Sequence, residues 1–469
     1  MMQPLRKTTA VLALAGLLGA CAGPVAQRAF DDIADTTAQQ VGARPAWIRS
    51  DDDEKAVREA LERLLAQPLS AEDAVQVALL NNRRLQAGFA ELGIGAAELT
   101  SSWRPANPGI SYARLKRGDE TEIDRGITVD AFSVLLLPFA ANIEQRRFEA
   151  TKLRTTTEIL QLAAQTRKAW YEAVAAEQTA VYVARIRDAA ETQADLARRM
   201  QQTGNLGALA ALREQLFYAD ATARQAKSRV QATAARERLT RLMGLWGRDT
   251  QFKLPDRLPE LPAEPRSIEN IEAMAMKGRL DVQAAKASVA ATQSAYRLTN
   301  ATRFINVLEL GYQRNSETGK RDQTGYEITL EVPLFDFGDA KATKAEHAYL
   351  QAVNRLADTA VQARSAARET YLGYRAAYDL SRHYQTEIVP LRQKAGEEMV
   401  LRYNGMLVSV FDLLADARDQ IADVSAALQA QRDFWLADTD LAFVTIAPVD
   451  SSASAFGGPL AIRSGSAAH

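Results

Sequence analysis

Cysteine is nearly missing from this chain: one residue, Cys21, in 469. That excludes a disulfide framework and any zinc site built from cysteines. Histidine is scarce too, and His347, His383 and His469 are too scattered in sequence to suggest a histidine-built metal centre. Neither sign of charge prevails. The 57 Lys+Arg and 58 Asp+Glu leave a net charge of −1, so no basic field exists to hold a phosphate backbone, which speaks against a dedicated nucleic-acid binder. Aromatic residues make up only 7%. The apolar run from Ala10 to Ala20 is too short for a bilayer-spanning helix. Catalytic motifs are lacking as well. Gly93-Ile94-Gly95 has neither the third glycine nor the preceding strand of a dinucleotide fingerprint, and there is no P-loop, H-E-x-x-H or G-x-S-x-G. Nothing resembles an enzyme, and no cofactor is expected. Met399 and Met406 with His383 read as packing on amphipathic helices rather than as copper ligands.

What is present starts with the lone cysteine. Arg6 and Lys7 precede the apolar run, which has the length of a secretory signal core. It ends Leu18-Gly19-Ala20-Cys21, similar to a bacterial lipobox cleaved before the cysteine. The expectation is a signal peptide over 1–20 and a Cys21 that carries a thioether-linked diacylglycerol and an N-acyl chain. Several acyl chains anchor a protein stably without a transmembrane helix. Ala22 is not the aspartate that commonly retains lipoproteins at the inner membrane, so sorting to the outer membrane is favoured. Residues 21–66, rich in Gly, Pro, Ala and Asp, read as a lipid-anchored N-terminal tether, with Asp51-Asp52-Asp53-Glu54 as solvated surface.

The chain then repeats itself. Ser70-Ala71-Glu72-Asp73 opens one helix with a capping-box pattern, and Ser267-Ile268-Glu269-Asn270 opens another. At that offset Glu72 matches Glu269, Ala78 matches Ala275, and Gln86-Ala87 matches Gln283-Ala284. With small indels Tyr171 follows with Tyr371, Gly204 with Gly405 and Leu206 with Leu407. Two structural repeats are expected, 67–247 and 268–446, joined by a linker over 248–267 whose Pro255, Pro259, Pro262 and Pro265 bar helix and central strand. A flexible tail is expected over 447–469. Abundant alanine favours long helices. Each repeat predicts a helix (about 70–102 and 268–302), two strands, then a long helical hairpin that breaks at Gly204-Asn205-Leu206 or at Gly405-Met406-Leu407. The first long helix, about 140–203, would reach on the order of 90 Å, too long for one compact globule.

The strands decide the class. Leu308, Leu310 and Tyr312 alternate with Glu309, Gly311 and Gln313, and Tyr326, Ile328 and Leu330 alternate with Glu327, Thr329 and Glu331. Such a period suits a transmembrane barrel with apolar residues toward lipid and Glu309, Glu327 and Glu331 toward the lumen. In the first repeat Ile110 to Leu115 and Ile127 to Leu137 are strand-like, although Phe132, Val134 and Leu136 blur the polar face. Four strands cannot close a barrel and open edges are not tolerated in lipid, so closure needs several chains.

Over residues 67–446 the sequence resembles the TolC-like outer-membrane efflux channel family. The resemblance lies in Arg279-Leu280-Asp281-Val282-Gln283-Ala284-Ala285, in Val332-Pro333-Leu334-Phe335-Asp336-Phe337-Gly338, and in the block from Arg402 through Asn404-Gly405 to Asp412-Leu413-Leu414. It implies a mainly α fold with a β-barrel portion: a homotrimer in which each protomer gives four strands to a twelve-stranded barrel and its helices to a coiled-coil α-barrel. It also implies a passive export duct for small molecules or polypeptides, working with a periplasmic adaptor protein and an inner-membrane pump or type I secretion ATPase. The alternative is a non-conducting coiled-coil lipoprotein that scaffolds the cell envelope. By resemblance the turns at Gly204, Asn205 and Leu206 and at Gly405, Met406 and Leu407 meet the adaptor, and the helices just inside them constrict the pore. The family's pair of aspartates is matched at Asp412 but not at Ala415; Asp416 points about 100° away, and Val408 stands where the pattern has an arginine. Asp412 alone is therefore expected to form the acidic periplasmic gate.

Overall fold

The computed structural model describes residues 22–304, 307–331 and 335–449. The expected signal peptide over 1–20, Cys21 with its expected lipid, the Val332-Pro333-Leu334 part of the second family block and the residues beyond 449 lie outside the described residues. The elements run α1 Ala22–Val41, α2 Asp51–Leu65, α3 Ala71–Asn81, α4 Arg83–Ser102, β1 Gly109–Arg117, β2 Glu120–Asp130, α5 Ala131–Gln202 and α6 Ala208–Met243. After the proline-rich segment come α7 Ile271–Gly278, α8 Leu280–Thr302, β3 Leu308–Glu317, β4 Gln323–Leu330, α9 Asp339–His383, α10 Val389–Asn404 and α11 Val410–Phe443. The chain is mainly helical with one four-stranded antiparallel sheet in the order β1-β2-β3-β4. Among the described residues no helix is long and apolar enough to cross a membrane.

Several local outcomes differ from expectation. The stretch read as a tether folds into α1 and α2. Ser50 accepts from Asp53 N–H while the Asp53 carboxylate accepts from Ser50 N–H, so the acidic run is a capped helix start that also suits the helix dipole. Val57 and Leu61 one face away are buried. The helix expected over 70–102 is interrupted at Asn82, which is extended and ties the chain to α6: its Nδ2 donates to Leu242 O at 2.8 Å. The helix expected over 268–302 breaks in the same way at extended Arg279. β2 ends at Asp130 rather than running to Leu137, because the Asp130 carboxylate accepts from Ser133 N–H at 2.9 Å and starts α5. Pro390 sits at the start of α10, and a single π-helical segment, Tyr384–Ile388, absorbs the backbone bond it cannot make.

The chain forms two interleaved compact units. Among the described residues one takes 22–33, Ala87–Thr156 and Leu280–Val361, and holds the sheet with the helix segments that flank it in sequence. There Phe30 meets Phe89 edge-on at 5.0 Å, and Phe89, Leu92, Ala96 and Phe148 are buried. The other takes Ala34–Gln86, Thr157–Arg279 and 362–449. Among the described residues its core includes a cluster around Leu69, Trp170, Val174, Leu239 and Met243 and another around Ile271, Tyr374, Tyr378 and Phe434. Trp170 donates to Leu69 O at 2.8 Å. Tyr171 stacks on Trp435 at 5.2 Å, and burial pushes its phenol up to about 12. The proline-rich segment is fixed here by its carbonyls: Pro259 O accepts from Gln431 and Trp435, and Ala263 O from Tyr378. A segment without helix or strand needs such side-chain donors.

Candidate functional site

The sheet is the first candidate surface. Its three ladders run without a bulge: Ile110 pairs with Ile127, Ile127 with Tyr312, and Tyr312 with Tyr326. Cross-strand partners share a face, so the register sorts every strand residue. One face carries Ile110, Tyr112, Ile127, Val129, Leu308, Leu310, Tyr312, Tyr326, Ile328 and Leu330. The other carries every carboxylate within the four strands: Glu120, Glu122, Asp124, Asp130, Glu309, Glu317 and Glu327. The register thus puts Leu308, Leu310, Tyr312, Tyr326, Ile328 and Leu330 on one face and Glu309 and Glu327 on the other. Glu331 is one residue past β4 and continues the register by donating its N–H to Val307 O at 3.3 Å. Gln313 donates to the Glu327 carboxylate on the same face.

Exposure distinguishes the two faces. On β2, Arg125, Ile127 and Val129 are exposed, whereas Asp124, Thr128 and Asp130 are half-buried and Gly126 is buried. A Cβ at Gly126 would collide with Ser111 Oγ, and one at Gly109 with Thr128 Oγ1. The polar face of β2 is the more enclosed (the concave face below) and its apolar face the more open (the convex face). Sequence reading missed Glu122, Asp124 and Asp130, because running β2 on to Leu137 blurred a pattern that is clean once the strand ends at Asp130.

The two helical turns are the second candidate. After α5, Gly204 N–H donates to Gln201 O and Asn205 N–H to Met200 O. After α10, Met406 N–H donates to Tyr403 O and Leu407 N–H to Arg402 O. Both are Schellman closures, with the left-handed position at Gly204 (φ +78) and at Met406 (φ +58). The equivalence is thus Gly204 with Met406, one residue from the expected Gly204 with Gly405. Met406 and Leu407 are 94% and 78% exposed. Leu206 is half-buried and Asn205 exposed.

Asp412 has a structural role at the second turn. Its carboxylate accepts from Ser409 N–H at 2.9 Å and Ser409 Oγ–H at 2.7 Å, while Asp412 N–H donates to Ser409 Oγ. These bonds hold its carboxyl below the usual carboxylate range. Asp412 is nonetheless exposed. Asp416 is taken by Arg392, which also binds Asp423 at 2.7 Å. Between α6 and α11, Arg418 donates twice to Glu214 at 3.0 and 3.1 Å and lies over the Phe217 ring at 4.2 Å. The Glu214 side chain is only 4% exposed. The S-x-x-D of Ser409 to Asp412 was legible as a capping box; the Glu214–Arg418 pair, 204 residues apart, had no sequence signal.

No protein-family model matches the sequence, and no curated protein matches it either. Solved structures do. The Campylobacter jejuni CmeC outer membrane channel is 14% identical, over 88% of this chain and 91% of its own, with a TM-score of 0.63. The open state of the Neisseria gonorrhoeae MtrE outer membrane channel is 16% identical over 80% and 88%, with a TM-score of 0.65. A crystal structure of CusC, described for folding and transmembrane channel formation, is 16% identical over 81% and 92%, also at 0.65. The fold is that of the TolC-like outer-membrane channels. At this identity the likeness concerns architecture alone. In this channel fold, β1 and β4 are the sheet's unpaired edges, and the turns at Gly204 and Met406 close the long helical hairpins. Among the described residues no group of three His, Cys, Asp or Glu is placed to hold a metal ion.

Proposed function

We propose that this chain is the outer-membrane duct of an export system, built from two structural repeats and working as a homotrimer. The observation that carries the reading is the sheet: one apolar face, one acidic face and two open edges. An open edge in lipid leaves backbone N–H and C=O groups unsatisfied. Three copies joined edge to edge would satisfy them in a twelve-stranded barrel and turn the acidic face to a lumen.

In this reading Glu309, Glu327 and Glu331, joined by Asp124 and Asp130, line the lumen and favour cations. Asp412 gives one carboxylate per protomer to the periplasmic gate while also capping α11. Exposed Met406 and Leu407, with Gly204, Asn205, Leu206 and Gly405, form the surface for a periplasmic adaptor, which connects the duct to an inner-membrane pump or secretion ATPase. Cys21 carries the lipid anchor in the outer membrane. Transport of this kind needs no catalytic group, because an energised partner drives the cargo.

Single-channel recording in planar bilayers tests the duct. Purified protein should form cation-selective channels, and Glu309→Gln with Glu327→Gln should lower that selectivity. A folded trimer without conductance would mark a scaffold instead. Asp412→Asn should weaken block by multivalent cations; unchanged block would remove it from the gate.

A further inference from the structure

The concave carboxylates have a place in a conduit; the bases on the opposite face do not. In the half of the convex face next to the hairpin turns stand Arg114 and Lys116 on β1, Arg125 on β2 and Arg314 on β3. The register sets Tyr112, Arg125, Arg314 and Thr324 in one cross-strand row, with Arg114 in the next row toward the turns. Same-face rows are about 7 Å apart and strands about 4.8 Å, so three guanidinium groups can converge on one anion. Arg125 and Arg314 are direct partners, and like charges so placed oppose each other unless a negative group lies between them. Asp322 answers this in part by pairing with Arg314. Among the described residues no carboxylate lies within ion-pair distance of Arg114, Lys116 or Arg125, and all three are exposed.

The order of groups along this face matters as much as the charge. From the helix end toward the turns it runs through Leu308, Leu330, Leu310 and Ile328, then Tyr312 and Tyr326, then the arginines. Apolar side chains, phenols and guanidinium groups in sequence match hydrocarbon, interface and headgroups of a membrane leaflet. Guanidinium forks bind phosphate oxygens in bidentate fashion. We infer that the turn-end half of the convex face, centred on Arg114, Arg125 and Arg314, binds phosphate-bearing lipid headgroups. This rests on the barrel reading above, since only closure in a membrane brings lipid to this face.

Native mass spectrometry of the full-length detergent-solubilised protein tests it, with diphosphoryl lipid A and its dephosphorylated form as probes and conductance recorded on the same preparations. The wild type should retain the diphosphorylated lipid at least tenfold more tightly than the dephosphorylated one. The Arg114→Gln, Lys116→Gln, Arg125→Gln variant should lose that preference while still conducting. Arg117→Gln, on the concave face, should keep it. Equal binding of both lipids by conducting protein, or an unchanged preference in the triple variant, would overturn the lipid surface and leave the duct intact. Displacement by inorganic phosphate alone would assign the arginines to a free anion and overturn the headgroup. Folded trimers that do not conduct would overturn the duct, and this surface with it.

Discussion

The two helical turns have the same backbone hydrogen bonds and different side chains, and the difference locates where local stability was given up. At the first, Gly204 takes the left-handed position without a Cβ penalty, and Gly207 starts α6 with no side-chain cap. At the second, Met406 takes that position, at a cost of about 1–2 kcal/mol, and Ser409 with Asp412 builds a full capping box. The first turn is relaxed and uncapped; the second is strained and capped. The strained residue is also among the most exposed apolar side chains of the described chain. A bulky apolar group held in an unfavourable backbone conformation in water has no packing reason to be there. In the duct reading it serves the adaptor surface, and the cap confines the strain to one residue.

The largest break in the comparison comes from uncoupling the two hairpins. Arg418→Met leaves the buried Glu214 carboxylate without its bidentate partner and should destabilise the α6–α11 contact by about 3 kcal/mol, read as earlier thermal unfolding and faster amide exchange in both helices. Equal unfolding curves would show the pair to be incidental. Next, Gly204→Met transfers the strain to the first turn. Amide exchange at Asn205 should speed up by roughly tenfold, corresponding to about 1–2 kcal/mol. Ser409→Ala removes the cap from the second turn and should cost about 1 kcal/mol locally, visible as faster exchange at Leu413 with no change at Ala211. Met406→Gly should act in the opposite direction and stabilise the second turn by roughly 0.5 kcal/mol, the relief of the left-handed Cβ less the entropy of glycine; slower exchange at Leu407 checks it. The smallest effect needs no mutation. Ser409 holds the Asp412 carboxyl below its ordinary range, so the box is intact at any pH above that range and is lost as pH falls through the depressed value. Strong acid should loosen the second turn relative to the first, which has no titratable cap.

Much of the fold was legible because local rules set it. The turns at Gly204 and near Gly405, the proline-rich segment and the alternation of β3 and β4 all follow from residue type and spacing. Errors arose where one polar side chain decided an element boundary. Asp130 ends β2 and caps α5 against a run of apolar residues that reads equally well as strand. Asn82 and Arg279 interrupt helices whose apolar period continues across them. The tether was misread because composition outweighed the S-x-x-D at Ser50 and the spacing of Val57 and Leu61. At Ser409 the same motif caps α11 through Asp412, a role that the family pattern of gate aspartates does not contain.

By itself the sequence determined the period of each element, the alternation that divides the residues of β3 and β4, and the places where helices must turn. These depend on neighbours within a few residues, through side-chain direction and backbone preference. Only the tertiary structure decided which strand lies beside which, and so that the carboxylates of β2 join those of β3 and β4 on a concave face while Arg114, Arg125 and Arg314 gather on the convex one. It alone joined Glu214 to Arg418 and Lys168 to the 2% exposed Asp440. Such pairs span hundreds of residues, and no local preference encodes them. They exist because burial leaves a charged group no partner except the one that packing brings to it.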